Sequence, residues 1–379
     1  MSAFRTSYRP VFTLSMLILI VCAAQKPGLS SEPSYLSFQV PGALGTYPMS
    51  INNSMTVTGY YTTSYTTAAG FFRDAEGAIT TFSVRGSLWT EPESINAAGD
   101  ITGLYEMVSG VPQGFIRYAD GRVITFDPPE GQAGPQAQPV SINNFGEVAG
   151  NYPYPNAASA GFSRSRTGGL TTIDYSAGAS YATVVTGLNS SGAIVGYCSD
   201  CVPNNAANSF LLHPDGYMVQ FSVPLDGPVS SENTIAESIN DDGVIAGWYG
   251  TCSLDCITRS SGGFVRSPQG DFTLFNPPGT LLAPPLSGVF DQHGSAVLIT
   301  APRLLSMNSE GTITGSYENT EGIEHAFVRN PYGTITSFDP PRGVQTTATS
   351  INDNGVIAGS YYYNLDSQNA QGFLRIPKS

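Results

Sequence analysis

The chain has 379 residues, only 12% of them charged, and a formal net charge of −13. An acidic chain without a basic stripe is excluded as a ligand for nucleic-acid backbones or anionic membrane surfaces. Glycine (42) and proline (27) are frequent, and Val, Ile, Thr, Tyr and Phe fill the segments between them. This composition predicts many short strands separated by turns.

The first predicted element is an export signal over residues 1–24. Two arginines precede an apolar run over 11–24 that is shorter than a membrane-spanning helix. Cleavage after Ala24 is the favoured interpretation, and lipid attachment at Cys22 is the alternative. We therefore expect a short linker over 25–34 and a secreted or cell-surface protein, extracellular or periplasmic, whose mature chain has no membrane span.

Seven copies of one phrase follow, each close to Ser-Ile-Asn-x-x-Gly-x-apolar-x-Gly-x-Tyr. They begin near residues 50, 94, 141, 187, 238, 306 and 350. The Asn-x-x-Gly part predicts a tight turn, and the alternation after it predicts a strand. A Gly-Phe-x-Arg phrase follows in most copies. A further strand follows a Gly turn, as in Thr125-Phe126-Asp127-Pro128-Pro129 and Ser337-Phe338-Asp339-Pro340-Pro341. One copy is therefore predicted to be a four-stranded antiparallel meander.

A meander of about 45 residues cannot bury both of its faces alone, which predicts a radial stack of copies. The seventh copy ends without a fourth strand, and residues 35–41 resemble a fourth strand without the first three. We therefore predict an all-β fold: a seven-bladed β-propeller over 35–379, whose N-terminal strand pairs into the last blade and closes the ring. Residues 279–305 lengthen one link and are interpreted as an insertion, with a decayed repeat as the alternative.

Three residue types recur in most copies and are interpreted as architecture. Asn forms the turn, Tyr packs between sheets, and Arg pairs with an acid or a carbonyl of the neighbouring strand, as Arg117 would with Asp127. In the fourth copy the tyrosine is assigned to Tyr197. The asparagines are Asn52, Asn96, Asn143, Asn189, Asn240, Asn308 and Asn352. The arginines are Arg73, Arg117, Arg164, Arg266, Arg329 and Arg375.

The repeat resembles the bacterial "probable extracellular repeat, HAF family", named for a His-Ala-Phe tripeptide followed by an Ile-Asn-x-x-Gly phrase. Only the sixth copy has the literal tripeptide, His325-Ala326-Phe327, and most other copies have Gly-Phe there. The resemblance covers nearly all of the chain from about residue 35 onward. It implies an extracellular repeat protein and no catalytic residues.

The residues indicate no catalytic constellation and no cofactor. The three histidines, His213, His293 and His325, lie in different copies, and no pair has metal-ligand spacing. His325 is interpreted as an exposed strand-edge residue. The acidic turns that begin at Asp241 and Asp353 could hold calcium, but they lack a full run of oxygen ligands.

Four cysteines remain after signal removal: Cys198, Cys201, Cys252 and Cys256. They follow the Gly-x-Tyr strand of the fourth and fifth copies. An exported chain favours disulfides, with Cys198–Cys201 and Cys252–Cys256 as the first choice and pairing across the two copies as the second. A four-thiolate zinc site and a redox role for the first pair are the remaining alternatives.

A rigid repeat scaffold with variable loops and no catalytic group favours a non-enzymatic extracellular binding or interaction module. The expected ligand is a glycan or another extracellular protein, bound by a monomer through the loops that follow the Gly-x-Tyr strands. One alternative is a glycan-acting hydrolase or lyase, which needs two carboxylates, or an acid and a base, at the mouth of the ring. A purely structural surface repeat is the second alternative.

Overall fold

The computed structural model describes residues 32–129, 136–154, 157–175, 182–202, 206–224, 229–253, 259–278, 305–319, 321–364 and 369–378. The predicted signal peptide and residues 279–304 of the predicted insertion over 279–305 lie outside the described residues. Regular structure in these ranges is β-strand, which confirms the all-β prediction. Nowhere in the described part of the chain does a helix have the length and hydrophobicity of a membrane span.

The described residues form 28 strands. In chain order they are β1 Ser34–Phe38, β2 Gly45–Ile51, β3 Val57–Ser64, β4 Thr67–Arg73, β5 Ile79–Phe82, β6 Trp89–Ile95, β7 Ile101–Glu106, β8 Pro112–Arg117, β9 Val123–Phe126, β10 Gln138–Ile142, β11 Val148–Tyr154, β12 Ala157–Arg164, β13 Leu170–Ile173, β14 Ala182–Leu188, β15 Ile194–Val202, β16 Ala206–Leu212, β17 Met218–Phe221, β18 Val229–Ile239, β19 Ile245–Ser253, β20 Arg259–Arg266, β21 Phe272–Phe275, β22 Leu305–Met307, β23 Ile313–Glu318, β24 Glu324–Arg329, β25 Ile335–Phe338, β26 Val344–Ile351, β27 Ile357–Tyr362 and β28 Gln371–Ile376.

Consecutive strands pair into four-stranded antiparallel meanders, as predicted. We call each meander a blade and number the blades in the order of their Asn turns, so that blade one is β2–β5 and blade two is β6–β9. Blades one and two share one eight-stranded sheet, because a single parallel bridge joins Ala68 to Trp89. Within each blade the Asn turn joins the first two strands.

The last sheet contains strands from both ends of the described chain. Its order is β1-β28-β27-β26, and β1 runs antiparallel to β28 with Leu36 opposite Leu374. Blade seven therefore consists of β26–β28 and β1. The fourth-strand character of residues 35–41 in the sequence reflects this pairing.

The core lies between neighbouring blades. The phenylalanine of each third strand is completely buried, as expected: Phe71, Phe115, Phe162, Phe210, Phe264, Phe327 and Phe373 are each 0% exposed. A buried threonine on several first strands accepts a hydrogen bond from a backbone N–H of the preceding blade. Examples are Thr90 with Val84 at 3.1 Å and Thr234 with Val223 at 2.9 Å. Adjacent blades are thus joined by both apolar contacts and polar bonds.

Candidate functional site

The seven repeat asparagines hold the turns at one end of the sheets, which we call the Asn end. In blade two, Asn96 Oδ1 accepts the backbone N–H groups of Ala98 and Asp100 at 3.0 and 2.9 Å. Its Nδ2 donates to the carbonyl of Asn143 in the next blade at 3.1 Å. The same donation recurs from each asparagine to the next, and Asn352 donates to Asn52. These amides therefore serve the scaffold, as predicted.

A cavity of about 230 Å³ opens at the Asn end. Its lining combines the asparagines with the residues on either side of them in each blade. The acidic groups there are used locally, because Asp241 accepts the Ser190 N–H at 2.7 Å and Asp353 accepts the Ser309 N–H at 2.9 Å. Burial alone would raise the pKa of Asp353, but bonds from Ser309 and Asn53 lower it below its usual value.

Groups that could bind a metal are sparse. Among the described residues, no cluster of three or more His, Cys, Asp or Glu side chains could hold a metal ion. The two turns considered for calcium each use an aspartate oxygen to bond a neighbouring blade. The polar side chains described at the Asn end therefore have a structural role, and we assign no metal-binding or catalytic role to them.

The prediction that Arg117 pairs with Asp127 is wrong. The Arg117 guanidinium lies over the rings of Phe72 and Phe82 in the preceding blade, at 4.7 and 5.2 Å, and donates to the Tyr118 carbonyl. Asp127 instead accepts a bond from Gln113. The arginine side chain extends across the blade interface, where an aromatic face is the available partner.

The same contact is repeated around the structure. Each arginine lies 4.8–5.3 Å from the phenylalanine of the preceding blade's fourth strand. Arg73 contacts Phe38, which belongs to β1. In blade four the arginine position holds Leu212, and the facing aromatic position holds Ile173. An apolar pair replaces the cation–π pair at that interface.

The assignment of Tyr197 to the repeat tyrosine of blade four is wrong. Cys198 lies opposite Thr183 and Asn208, and this is the register in which Tyr249 lies opposite Thr234 and Gly262. Cys198 therefore takes the tyrosine position and is fully buried. Tyr197 follows Gly196 directly, whereas the repeat phrase has Gly-x-Tyr. Counting nine residues from Asn189 already places Cys198 at the tyrosine position, and the strand register agrees.

The cysteine pairing stays a prediction. The side chains of Cys201 and Cys252, and all of Cys256, lie outside the described residues. Between Cys198 and Val202, β15 advances four residues while β16 advances two. The strand is therefore irregular between the two cysteines of the first-choice pair, Cys198 and Cys201.

The prediction that His325 is an exposed edge residue is wrong. Its side chain is 25% exposed, and Nδ1 lies 2.8 Å from Asp339 Oδ2. Nε2 lies 2.9 Å from Asn319 Nδ2, which is a donor, because the Asn319 oxygen already accepts two backbone N–H groups. His325 with Asp339 occupies the position of Gln113 with Asp127 in blade two, so it belongs to the repeat.

A second group of side chains lies at the opposite end of the sheets, which we call the loop end. We call this group the aromatic–acidic cluster: Tyr47, Tyr60, Trp89, Glu91 and Tyr362. Tyr47 precedes Asn52 by five residues, which places it about 16 Å along the strand from the Asn end. All five side chains are partly exposed.

The cluster joins three blades. The rings of Tyr47 and Tyr60 in blade one stack at 4.8 Å with an interplanar angle of 18°. Trp89 in blade two lies 6.3 Å from Tyr60, and its Nε1 donates to Glu91 Oε2 at 2.9 Å. Burial raises the pKa of Tyr47, and the phenol group of Tyr362 is near enough to raise that pKa further, which adds blade seven. The indole and the phenols are thereby held in defined orientations.

The electrostatics of the cluster favour neutral forms. Burial raises the pKa of Glu91, the Trp89 N–H lowers it in part, and Glu106 raises it again. Burial also raises the pKa of Glu106 on β7 and of Tyr47 and Tyr60. The one carboxyl group of the cluster, that of Glu91, is therefore largely buried and interacts with a second carboxyl group, that of Glu106.

Exposed apolar side chains also lie at the loop end of the same blades. Six large ones are described at the loop end of blades seven, one and two: Leu44, Tyr65, Leu88, Met107, Val108 and Tyr363. Tyr65 and Val108 are each 83% exposed. Tyr65, Val108 and Tyr363 lie in loops that follow Gly-x-Tyr strands, where the sequence predicts the ligand surface. The aromatic–acidic cluster was missed, because its residues come from separate copies. The available signal was that Trp89 and Glu91 depart from the repeat.

We predict that Glu91→Gln stabilises the protein at pH 8 by about 1 kcal/mol, with little gain at pH 4. The pKa of Glu91 is raised in the folded state, so its contribution is present below the unfolded pKa and is lost as pH rises through the folded pKa. Thermal unfolding at both pH values measures this. The exposed Glu76→Gln is the matched control, and an equal gain at pH 4 would contradict the assignment.

No protein-family model matches the chain, and no curated protein matches it either. Solved structures do match. One is the β-propeller domain of the trilobed protease from Pyrococcus furiosus, with a TM-score of 0.56 at 7% identity, covering 89% of this chain and 94% of that one. Another is a puromycin hydrolase, with a TM-score of 0.50 at 14% identity, covering 87% of this chain and 53% of that one.

These likenesses define the fold alone. Together with the four-stranded antiparallel blades, they identify a β-propeller scaffold. The chain spans about half the length of the puromycin hydrolase. The Pyrococcus furiosus domain is described as having an open velcro topology, whereas here β1 and β28 share one sheet.

Proposed function

We propose that this chain is a secreted, non-enzymatic binding module that recognises a glycan or another extracellular protein at its loop end. The observation that carries the proposal is the set of exposed, large apolar side chains at the loop end of blades seven, one and two, where Tyr65 and Val108 are each 83% exposed. Large apolar side chains that are grouped and exposed mark interaction surfaces in soluble proteins. Single exposed ones need no such explanation.

We also propose that the scaffold is a closed seven-bladed ring in a monomer. Three observations support closure. Asn352 donates to the carbonyl of Asn52, β1 pairs with β28, and Arg73 lies over Phe38 as other arginines lie over phenylalanines of contiguous blades. A closed ring leaves no unpaired edge between the first and last blades.

Membership of the HAF-type extracellular repeat proteins, export by the segment over 1–24 and the two cysteine disulfides remain part of the same proposal. An exported chain meets an oxidising environment, in which paired cysteines persist.

The binding proposal is tested with two triple variants on a glycan array and in a pull-down with extracellular proteins. The loop-end variant carries Tyr65→Ala, Val108→Ser and Tyr363→Ala. The matched control carries Phe145→Ala, Tyr217→Ala and Tyr332→Ala, which are as exposed but lie at the Asn end. We expect the wild type and the control to bind a ligand, and the loop-end variant to bind about tenfold more weakly.

Two outcomes contradict the binding proposal: empty results from both the array and the pull-down, or loss of binding in the Asn-end variant alone. A glycan-acting hydrolase or lyase is the second candidate, favoured by the interaction between Glu91 and Glu106 at the loop end. Reducing ends released by the wild type but not by Glu91→Gln would favour that enzyme over a binding module.

A further inference from the structure

The aromatic–acidic cluster occurs once in the described blades. Positions equivalent to Trp89 in other blades hold Gly45, Gln136, Ala182, Asn233 and Gln345. Positions equivalent to Glu91 hold Tyr47, Gln138, Val184, Ile235 and Thr347. Residues that build every blade recur in every blade, as the asparagines do. Trp89 and Glu91 do not recur, so the repeat architecture does not account for them.

The cluster offers two kinds of contact side by side. Trp89 and Tyr47 are partly exposed and present flat apolar rings, held by the Tyr60 stack and by the bond from Trp89 Nε1 to Glu91. The Trp89 bond uses one acceptor site of the Glu91 carboxyl group, which has about four when ionised. The phenols of Tyr47 and Tyr362 add hydroxyl groups at the same edge.

This combination is complementary to a sugar ring. A pyranose has an apolar face of C–H groups that packs on an aromatic ring, and an edge of hydroxyls that donate to carboxyl and phenol oxygens. Sites for small ligands are typically aromatic with a few placed polar groups that set orientation. Rigid Tyr and Trp side chains also lose little conformational entropy on binding.

We propose that the aromatic–acidic cluster is a single binding site for a neutral saccharide, located between blades one and two and completed by Tyr362 of blade seven. The inference rests on the proposed binding function and specifies its ligand class and location. Glu91 accepts sugar hydroxyls, and Trp89 packs against the sugar face. One site per chain follows from the single occurrence of the cluster.

The chain contains two tryptophans, which makes the test direct. Trp248 is 5% exposed and lies in the core between blades five and six, whereas Trp89 is partly exposed. In a Trp248→Phe variant, Trp89 is the only tryptophan, so tryptophan fluorescence reports on Trp89 alone. Neutral hexasaccharides of β-linked glucose, mannose and N-acetylglucosamine serve as probes, with a pentalysine peptide as the cationic comparison.

We expect at least one hexasaccharide to shield Trp89 from acrylamide quenching and to bind wild-type protein with one site per chain in calorimetry. Trp89→Ala is expected to weaken that binding about tenfold or more, and Glu91→Gln several-fold at pH 8. Tyr332→Ala is the exposed control and should bind as the wild type. Trp89→Phe retains an aromatic face and should bind with intermediate affinity. This variant provides the test if the Trp89→Ala protein fails to fold.

Three outcomes overturn the proposal: no hexasaccharide shields Trp89, pentalysine shields it instead, or saccharide binding survives both Trp89→Ala and Glu91→Gln. In the last case the glycan array would still report binding, so the general binding function would stand and only this site would fall. An array and pull-down that are both empty would remove the general function as well.

Discussion

Replacing Phe38 by alanine is expected to lower the free energy of unfolding by about 3 kcal/mol. Phe38 is on β1, yet its ring packs against Phe71 of blade one at 6.1 Å and lies under the Arg73 guanidinium at 5.3 Å. A methyl side chain would leave a cavity at the joint between the N-terminal strand and blade one. Chemical denaturation followed by circular dichroism measures the loss.

Phe126→Ala is the matched control for this joint. Phe126 is on β9 within a contiguous pair of blades, and it makes the same two contacts, with Phe162 at 6.0 Å and Arg164 at 5.1 Å. Equal losses for the two variants are expected if β1 is a full member of its sheet in solution. A large loss for Phe126→Ala beside a negligible one for Phe38→Ala would contradict the closed ring.

Asn96→Ala is expected to cost about 3 kcal/mol, because three hydrogen bonds of a 4% exposed side chain are lost together. Two of these bonds hold the turn of blade two, and the third joins it to Asn143 of blade three. Removing the side chain leaves the turn N–H groups and a carbonyl without their partners. The fall in unfolding midpoint can be measured by calorimetry.

A second substitution separates the turn from the blade interface. Asn96→Asp keeps an oxygen for Ala98 and Asp100 but has no donor for the Asn143 carbonyl. We expect a loss of the same order at pH 8, where the carboxylate faces a carbonyl oxygen, and a smaller loss at acidic pH, where a protonated carboxyl can donate. Ser54→Ala at an exposed turn position is the neutral control, and an unchanged midpoint for Asn96→Asp would show that the interblade bond is dispensable.

Much of the scaffold could be predicted because its determinants are local. The Asn turn and the alternation around residues such as Ile101, Gly103 and Tyr105 need only a few consecutive residues, and both occur as expected. Blade one shows how far a turn can depart from the pattern. Met55 stands where the other copies have glycine and keeps the positive φ, 63°, that the turn requires.

The predictions that failed concern contacts between strands or blades. The partner of Arg117 depends on which ring of blade one lies beside it, and the partial burial of His325 depends on its contacts with Asp339 and Asn319. Charge pairing along a strand suggested Asp127, but the arginine crosses to the neighbouring blade instead. A short-range pattern contains no information on that crossing.

The sequence by itself determined the repeat, the four-stranded blade and the all-β class, because turn chemistry and period-two burial are properties of adjacent residues. The tertiary structure decided where function could lie. Tyr47, Trp89 and Tyr362 belong to three different copies, and radial packing brings the ends of their strands together at the loop end. These residues are close because neighbouring blades pack against one another. That packing depends on residues throughout the sequence, so a short-range pattern cannot predict it.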